Sequence, residues 1–135
     1  MTIVVGYVPT REGRAALRRA GEEARAHGVD LVVVTSERTT ANAASEENQA
    51  FETRLTQVKS DLEAAQLAVE VISGASAQDV SDNLLDVADQ RNAAAIVIGL
   101  RRRSPVGKLI LGSAAQRILL EASSPVLAVK ATDQD

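Results

Sequence analysis

Five short apolar runs, separated by amphipathic stretches, constrain the fold of this chain more than any other feature. The runs are Ile3–Val8, Leu31–Thr35, Leu67–Ile72, Ala95–Gly99 and Pro125–Lys130. Four of them are almost continuously apolar and rich in β-branched residues, which is typical of strands in a parallel sheet covered on both faces. The third run alternates apolar and polar residues, which indicates a strand with one exposed face near a sheet edge.

Four amphipathic stretches lie between the runs, and each predicts a helix. They are Arg11–His27, Glu46–Ala65, Gln78–Arg91 and Ser113–Ala122. Alternation of strands and helices is typical of the doubly wound α/β class, and right-handed crossovers leave few topologies. We therefore predict one domain over residues 1–135, built on a five-stranded parallel sheet of order 3-2-1-4-5 with helices on both faces, and a disordered tail over 131–135.

The composition excludes several classes of function. The chain has no cysteine, so disulfides and thiol catalysis are impossible, and its one histidine cannot support a His-rich metal site. A net charge of −3 and only two aromatic residues argue against nucleic-acid binding. The sequence offers no nucleophile–base pair, so we predict no catalytic residue.

No apolar stretch reaches the ~20 residues of a membrane helix, and no leader precedes the first run, so we expect a cytoplasmic protein without a membrane partner.

The segment that follows the fourth predicted strand carries the strongest indication of a ligand site. Gly99 ends that strand and would allow a ligand close to the backbone, or a turn forbidden to other residues. Gly112 and Ser113 open the last predicted helix, whose free N–H groups and dipole favour an anion. The side chains between them add positive charge, from Arg101, Arg102, Arg103 and Lys108. The sequence therefore predicts a phosphate site at the carboxyl edge of the sheet, near the switch point between strands one and four.

Structural explanations of the same residues stay open. A glycine after a strand is common at βα junctions, Ser113 could serve only as a helix N-cap, and the arginine run could be a solvated loop. The segment is neither a Walker A loop nor a dinucleotide fingerprint, because it lacks the Gly-Lys-Ser/Thr ending and the Gly-x-Gly-x-x-Gly spacing.

The segment after the fourth predicted strand resembles that of the universal stress proteins, and the resemblance extends over essentially the whole chain. The family pattern after strand four is Gly, two residues, Gly, nine residues, Gly, and then Ser or Thr. This chain supplies Gly99, has Arg102 in place of the second glycine, and ends the pattern with Gly112 and Ser113. The ending Ser123–Lys130 is also similar to the last strand of the family. The opening Ile3–Gly6, followed by Glu12–Leu17, is similar to its first strand and helix.

The resemblance implies a candidate cofactor, ATP with Mg²⁺, and a set of contacts. The phosphates would lie against Gly99, Arg101, Gly112, Ser113 and Ala114. The nucleoside would lie between the ends of strands one, two and four, with Ser36 near the adenine. Val8 stands where family members usually carry an Asp that contacts the nucleoside, and Arg102 has a side chain where the family has bare backbone. Val8 cannot accept a hydrogen bond, and an unpaired ligand group costs ~1–3 kcal/mol.

Three functions follow as hypotheses. The leading one is a dimeric stress-response module that binds ATP or another phosphorylated ligand and is not a fast enzyme. The second is a dimeric interaction protein that binds no nucleotide, because Val8 and Arg102 replace the family's Asp and Gly. The third is a slow ATPase, for which residues 99–113 offer no acidic group. The last predicted strand lies at an unprotected sheet edge, and with the resemblance this predicts a homodimer through Val126, Leu127, Ala128 and Val129.

Overall fold

Strands and helices alternate through the part of the chain that the computed structural model describes, which comprises residues 1–36, 46–74, 80–100, 112–133 and 135. The strands are β1 (Thr2–Gly6), β2 (Asp30–Ser36), β3 (Val69–Gly74), β4 (Ala95–Leu100) and β5 (Val126–Lys130). The helices are α1 (Arg11–His27), α2 (Glu46–Ala64), α3 (Val80–Gln90) and α4 (Ser113–Glu121). None of the helices in these ranges is long and apolar enough to cross a membrane.

The five strands form one parallel sheet of order β3-β2-β1-β4-β5, which confirms the predicted topology. The central strand β1 pairs with both neighbours: Ile3 lies opposite Leu31 of β2 and opposite Ala95 of β4. The chain order reverses between β1 and β4, so the switch point lies where the sequence places it. The alternating run forms β3, an edge strand whose side chains are mostly exposed or half-buried, as expected.

Successive residues of the central strands face two separate cores. Ile3 and Val5 point to the face covered by α1 and α2, where Leu17, Phe51 and Leu62 complete one core. Val4 points to the face covered by α3 and α4, in a second core with these residues: Val32, Val34, Leu84, Ile96 and Ile118. Burying each such aliphatic side chain contributes roughly 1.5–3 kcal/mol. Burial on both faces explains why these strands are almost continuously apolar.

Local signals at its two ends explain why α1 has the predicted bounds. The hydroxyl of Thr10 accepts a hydrogen bond from the N–H of Gly13 at 3.1 Å and so caps the first turn. At the other end Gly28 adopts the left-handed conformation, with φ 65° and ψ 39°, and its N–H turns back to the last carbonyls. This arrangement is the usual role of a glycine just after a helix.

The remaining boundaries differ from the predicted ones by a few residues. β1 ends at Gly6 rather than Val8, although the N–H of Tyr7 still donates to the carbonyl of Val34 at 2.9 Å. The third predicted helix begins at Val80 in the structure, and residues 75–79 lie outside the described part. The tail over 131–135 is predicted to be disordered. In the structure, arginine side chains of α1 and α2 contact two of its residues, Thr132 and Asp135.

Candidate functional site

A small apolar cleft lies where the switch point predicts one, between the carboxyl ends of β1 and β4 and the starts of α3 and α4. Its volume is about 90 Å³. It is lined by Gly6, Val8, Val80, Ser81, Leu84, Ile98, Gly99, Ala114, Ala115 and Ile118. Three of the predicted site residues, Val8, Gly99 and Ala114, therefore come together although they are far apart in sequence.

Val8 lies at the mouth of this cleft, with 42% of its surface exposed. Its carbonyl accepts a hydrogen bond from the N–H of Thr10 at 2.8 Å, which turns the chain from β1 into α1. The side chain offers only methyl groups to a bound molecule. The resemblance implies an Asp at this position, whereas this chain has an apolar side chain there.

Gly99 has a packing role that the sequence does not reveal. It has the same orientation in β4 as Val97, which faces α1 and α2, whereas Ile98 faces the cleft side. A Cβ at Gly99 would overlap the backbone of Glu12 in the first turn of α1 and lie 2.6 Å from its carbonyl carbon. The bare backbone here allows α1 to lie close to the sheet, and the Cβ vector points away from the cleft.

Gly112 caps α4, so the alternative in which Ser113 is the N-cap is wrong. Gly112 has φ −65° and ψ 160°, and its carbonyl accepts the first helical hydrogen bond, from the N–H of Gln116 at 3.0 Å. Ser113 is the first helical residue instead. Because the cap residue has no side chain, no side-chain hydrogen bond caps the N–H groups of the first turn. Gly112, Ser113 and Ala114 are all exposed, and the first turn contains no acidic residue.

The other predicted site residues are not part of the described cleft. Ser36 ends β2 on the side of the sheet that carries Val32 and Val34, one strand away from Val8, but it does not line the cleft. The predicted basic residues Arg101, Arg102, Arg103 and Lys108 lie outside the described residues.

Ser81 is a cleft residue that the sequence analysis missed. It is fully buried and stands on the same face of α3 as Leu84 and Ala88, three and seven residues further on. That spacing is a usable signal, because a helix brings such positions onto one side. Ser81 is the one residue with a polar side chain in the cleft lining given above.

Tyr7 lies on the opposite side of the sheet and cannot stack on a ligand in the cleft. Its ring is 1% exposed and stacks on Phe51 with 3.9 Å between ring centroids. Burial raises the pKa of Tyr7 to about 12, against the opposing charge of Arg14, so the phenol is neutral at physiological pH. Tyr7 therefore belongs to the core on the side of α1 and α2.

The described site combines two chemical features, a helix N-terminus and an apolar surface. The first-turn N–H groups of α4 and the helix dipole favour a negative group, and the cleft beside them favours an apolar one. In the described ranges, no group of three or more His, Cys, Asp or Glu residues is placed to hold a metal ion.

Comparisons with known proteins agree with the fold. The model of the universal stress protein family matches residues 1–130. A universal stress protein of Mycolicibacterium smegmatis is 39% identical over 128 residues, which cover 95% of this chain and 96% of that protein. Two solved structures of universal stress proteins from Archaeoglobus fulgidus each cover 96% of this chain and 98% of their own. One is 36% identical with a TM-score of 0.69. The other, a complex with dAMP, is 30% identical with a TM-score of 0.65. The chain belongs to the universal stress protein family.

Proposed function

We propose that this protein binds ATP, or another phosphorylated small molecule, with the phosphates at the start of α4. It would act as a dimeric, cytoplasmic stress-response module and not as a fast enzyme. The observation that carries the proposal is the start of α4: an exposed helix N-terminus, capped by a glycine, beside an apolar cleft at the switch point of the sheet.

The geometry of Gly112 supports this proposal. Its φ of −65° is available to any residue, so the backbone does not require glycine there. A Cβ built on Gly112 would meet no described atom within 4 Å, so packing within the described ranges does not require glycine either. A bare backbone at this position is explained if a ligand oxygen approaches the N–H groups of the first turn.

The comparison with the dAMP complex gives a second line of support. That protein covers 96% of this chain, and its structure is a complex with the nucleotide dAMP. By analogy, Gly112, Ser113 and Ala114 would donate main-chain or hydroxyl hydrogen bonds to phosphate oxygens. Arg101 and Arg102 would add charge-assisted ones. Mg²⁺ would accompany ATP by neutralising the phosphates.

A second candidate is a dimeric interaction protein that binds no nucleotide. The cleft favours it in two ways. Its volume of about 90 Å³ is well below the ~300 Å³ at which small-molecule sites begin, so it can take only part of a ligand. Val8 at its mouth can pair with no ribose hydroxyl or base amine.

Calorimetric titration with ATP and Mg²⁺ separates the two candidates. We expect the wild type to bind in the micromolar to millimolar range, about 4–8 kcal/mol, because the phosphates carry most of the contact. Ser113→Ala should weaken binding severalfold, since it removes one hydrogen bond worth about 1 kcal/mol. Ser60→Ala is the matched control, because Ser60 is exposed on α2, on the other side of the sheet.

The double substitution of Val8→Asp with Arg102→Gly completes this experiment. It restores the acid and the second glycine that the resemblance implies. If ATP binds only to this double variant, the proposal fails for ATP and the second candidate stands. If the wild type binds and Ser60→Ala weakens binding as much as Ser113→Ala, the placement at α4 is wrong.

We also propose that the protein forms a symmetric dimer through the outer edge of β5. The strand is apolar up to Lys130, and within the described residues its outer edge pairs with no other strand. Ala128→Lys should shift the protein from dimer to monomer, because Ala128 is exposed and two like charges would meet across the two-fold axis. Light scattering measures this, and Val71→Lys at the opposite sheet edge serves as the control. A monomeric wild type, or an Ala128→Lys variant that stays dimeric, would contradict the interface.

A further inference from the structure

Four arginines form a positively charged surface on the side of the sheet opposite the cleft. Arg11, Arg14 and Arg18 are three and four residues apart, so they follow one side of α1, and Arg54 of α2 lies beside them. We call this set the arginine face. Its guanidinium groups all contact the stretch that follows β5.

The contacts are distributed along that stretch. Arg11 donates to the carbonyl oxygen of Thr132 at 3.0 Å, and Arg14 donates to the main-chain oxygen of Asp135 at 3.3 Å. Arg18 binds both carboxylate oxygens of Asp135 at 3.0 Å each, and Arg54 lies 3.4 Å from one of them. A two-point arginine–carboxylate contact is among the most specific polar interactions in proteins.

The carboxylate of Asp135 occupies a complete site. Its side chain is fully inaccessible, and the N–H and hydroxyl of Thr132 donate to it at 3.1 and 3.2 Å. Burial alone would raise its pKa, but the hydrogen bonds from Arg18 and Thr132 outweigh burial and hold the pKa at about 2. The group therefore stays ionised at physiological pH.

A cavity of about 260 Å³ continues from this site along the α1–α2 groove. Arg18 and Arg54 line it, and so does Arg25, whose guanidinium makes no ion pair with any described residue. The groove is not uniformly positive, because Glu22 and Asp61 also line it. Its floor is Gly21 against Val58. The groove has space for further side chains beyond the position of Asp135, and among the described residues Arg25 has no ion-pair partner there.

The stretch after β5 is held mainly through charge. Thr132 and Asp133 are exposed, so little apolar surface is buried beneath them. Polar contacts of this kind can be exchanged for similar ones made by another acidic segment. A longer acidic segment would make the same contacts with Arg18 and Arg54 and add one with Arg25.

We propose that the arginine face, with its continuation to Arg25, is a docking site for an acidic segment of a partner protein, and that Thr132 and Asp135 occupy it in the free protein. The partner would carry a carboxylate in the place of Asp135 and a second one within reach of Arg25. The site is independent of ligand binding at α4, because it lies on the other side of the sheet.

The test uses a fluorescent peptide, Ala-Thr-Asp-Gln-Asp-Glu-Glu, that repeats residues 131–135 and adds two acidic residues. Anisotropy measures its binding to the full chain. Asp135→Asn should bind the peptide about tenfold more tightly than the wild type, because the competing internal carboxylate is lost. Adding Arg18→Gln should remove most of that binding. Arg19→Gln is the matched control, since Arg19 pairs with Glu23 on the exposed side of α1.

Several outcomes would overturn the proposal. The first is a peptide affinity that is the same for Asp135→Asn and the wild type. The second is a loss of peptide binding on Arg19→Gln as large as the loss on Arg18→Gln. The third is unchanged binding of a peptide in which Asn and Gln replace the acidic residues. A single-stranded oligonucleotide that binds Asp135→Asn when the acidic peptide does not would assign the surface to nucleic acid instead. Circular dichroism confirms that each variant is folded, and Arg54→Gln gives an independent second loss.

Discussion

Gly13→Ala should lower the free energy of unfolding by about 3 kcal/mol, although alanine is the better helix former. A Cβ at Gly13 would overlap the carbonyl oxygen of Val8 and lie 2.9 Å from its carbonyl carbon. That carbonyl cannot move freely, because it accepts the hydrogen bond from Thr10 that turns β1 into α1. The expected loss is a large fraction of the 5–15 kcal/mol that stabilises a typical domain. Urea unfolding followed by circular dichroism measures it.

Gly21→Ala, eight residues further along the same helix, is the control for Gly13→Ala. Its Cβ would lie 2.9 Å from a methyl carbon of Val58 and would meet only side-chain atoms there, so a small shift of α1 against α2 relieves the contact. The gain of up to ~1 kcal/mol in helix propensity then offsets the crowding, and we expect stability near that of the wild type. Equal losses at the two glycines would show that the Val8 carbonyl is not the constraint.

The same substitution at the two glycines of the predicted phosphate segment should have opposite effects on the fold. Gly99→Ser should cost about 2 kcal/mol of stability, because a side chain there meets the backbone of Glu12. Gly112→Ser should leave stability unchanged or raise it by a few tenths of a kcal/mol, because serine is a good N-cap and its Cβ meets no described atom. Thermal and urea unfolding of both variants measure the difference.

Ligand binding by the two serine variants separates their roles further. If phosphates lie at the start of α4, Gly112→Ser weakens ATP binding while the fold stays intact. Gly99→Ser acts mainly through stability, and partial unfolding accounts for any loss of binding. A Gly99→Ser variant as stable as the wild type would contradict the packing role, and a stable Gly112→Ser variant with unchanged binding would contradict the ligand role.

The fold was largely predictable because a central strand that is buried on both faces needs a continuous run of apolar residues. The runs at Ile3 and Leu31 become β1 and β2, and the alternating run becomes the edge strand β3. The α1 helix was predicted to the residue, because Gly28 and the charge pattern are local signals that act within one turn. Boundaries without such signals, including the end of β1, moved by one or two residues.

The site was predictable only in part, because the same residue type at a position is compatible with either a packing role or a ligand-binding role. In the sequence, Gly99 and Gly112 look alike, as glycines that bracket a basic segment. In three dimensions the missing Cβ of Gly99 faces α1, whereas that of Gly112 faces no described atom. Ser81 went unnoticed because its burial depends on how α3 lies against the sheet.

The sequence by itself determined the α/β class and the strand order, since these follow from periodicity and chain order, and its resemblance to known proteins indicated the family. Only the tertiary structure decided on which side of the sheet each side chain lies and which residues it contacts. It placed Tyr7 against Phe51 rather than in the cleft, and it brought the arginines of α1 to the stretch after β5, about 120 positions later. The physical reason is that periodicity records whether a position is buried, whereas the packing of helices on a twisted sheet determines its neighbours.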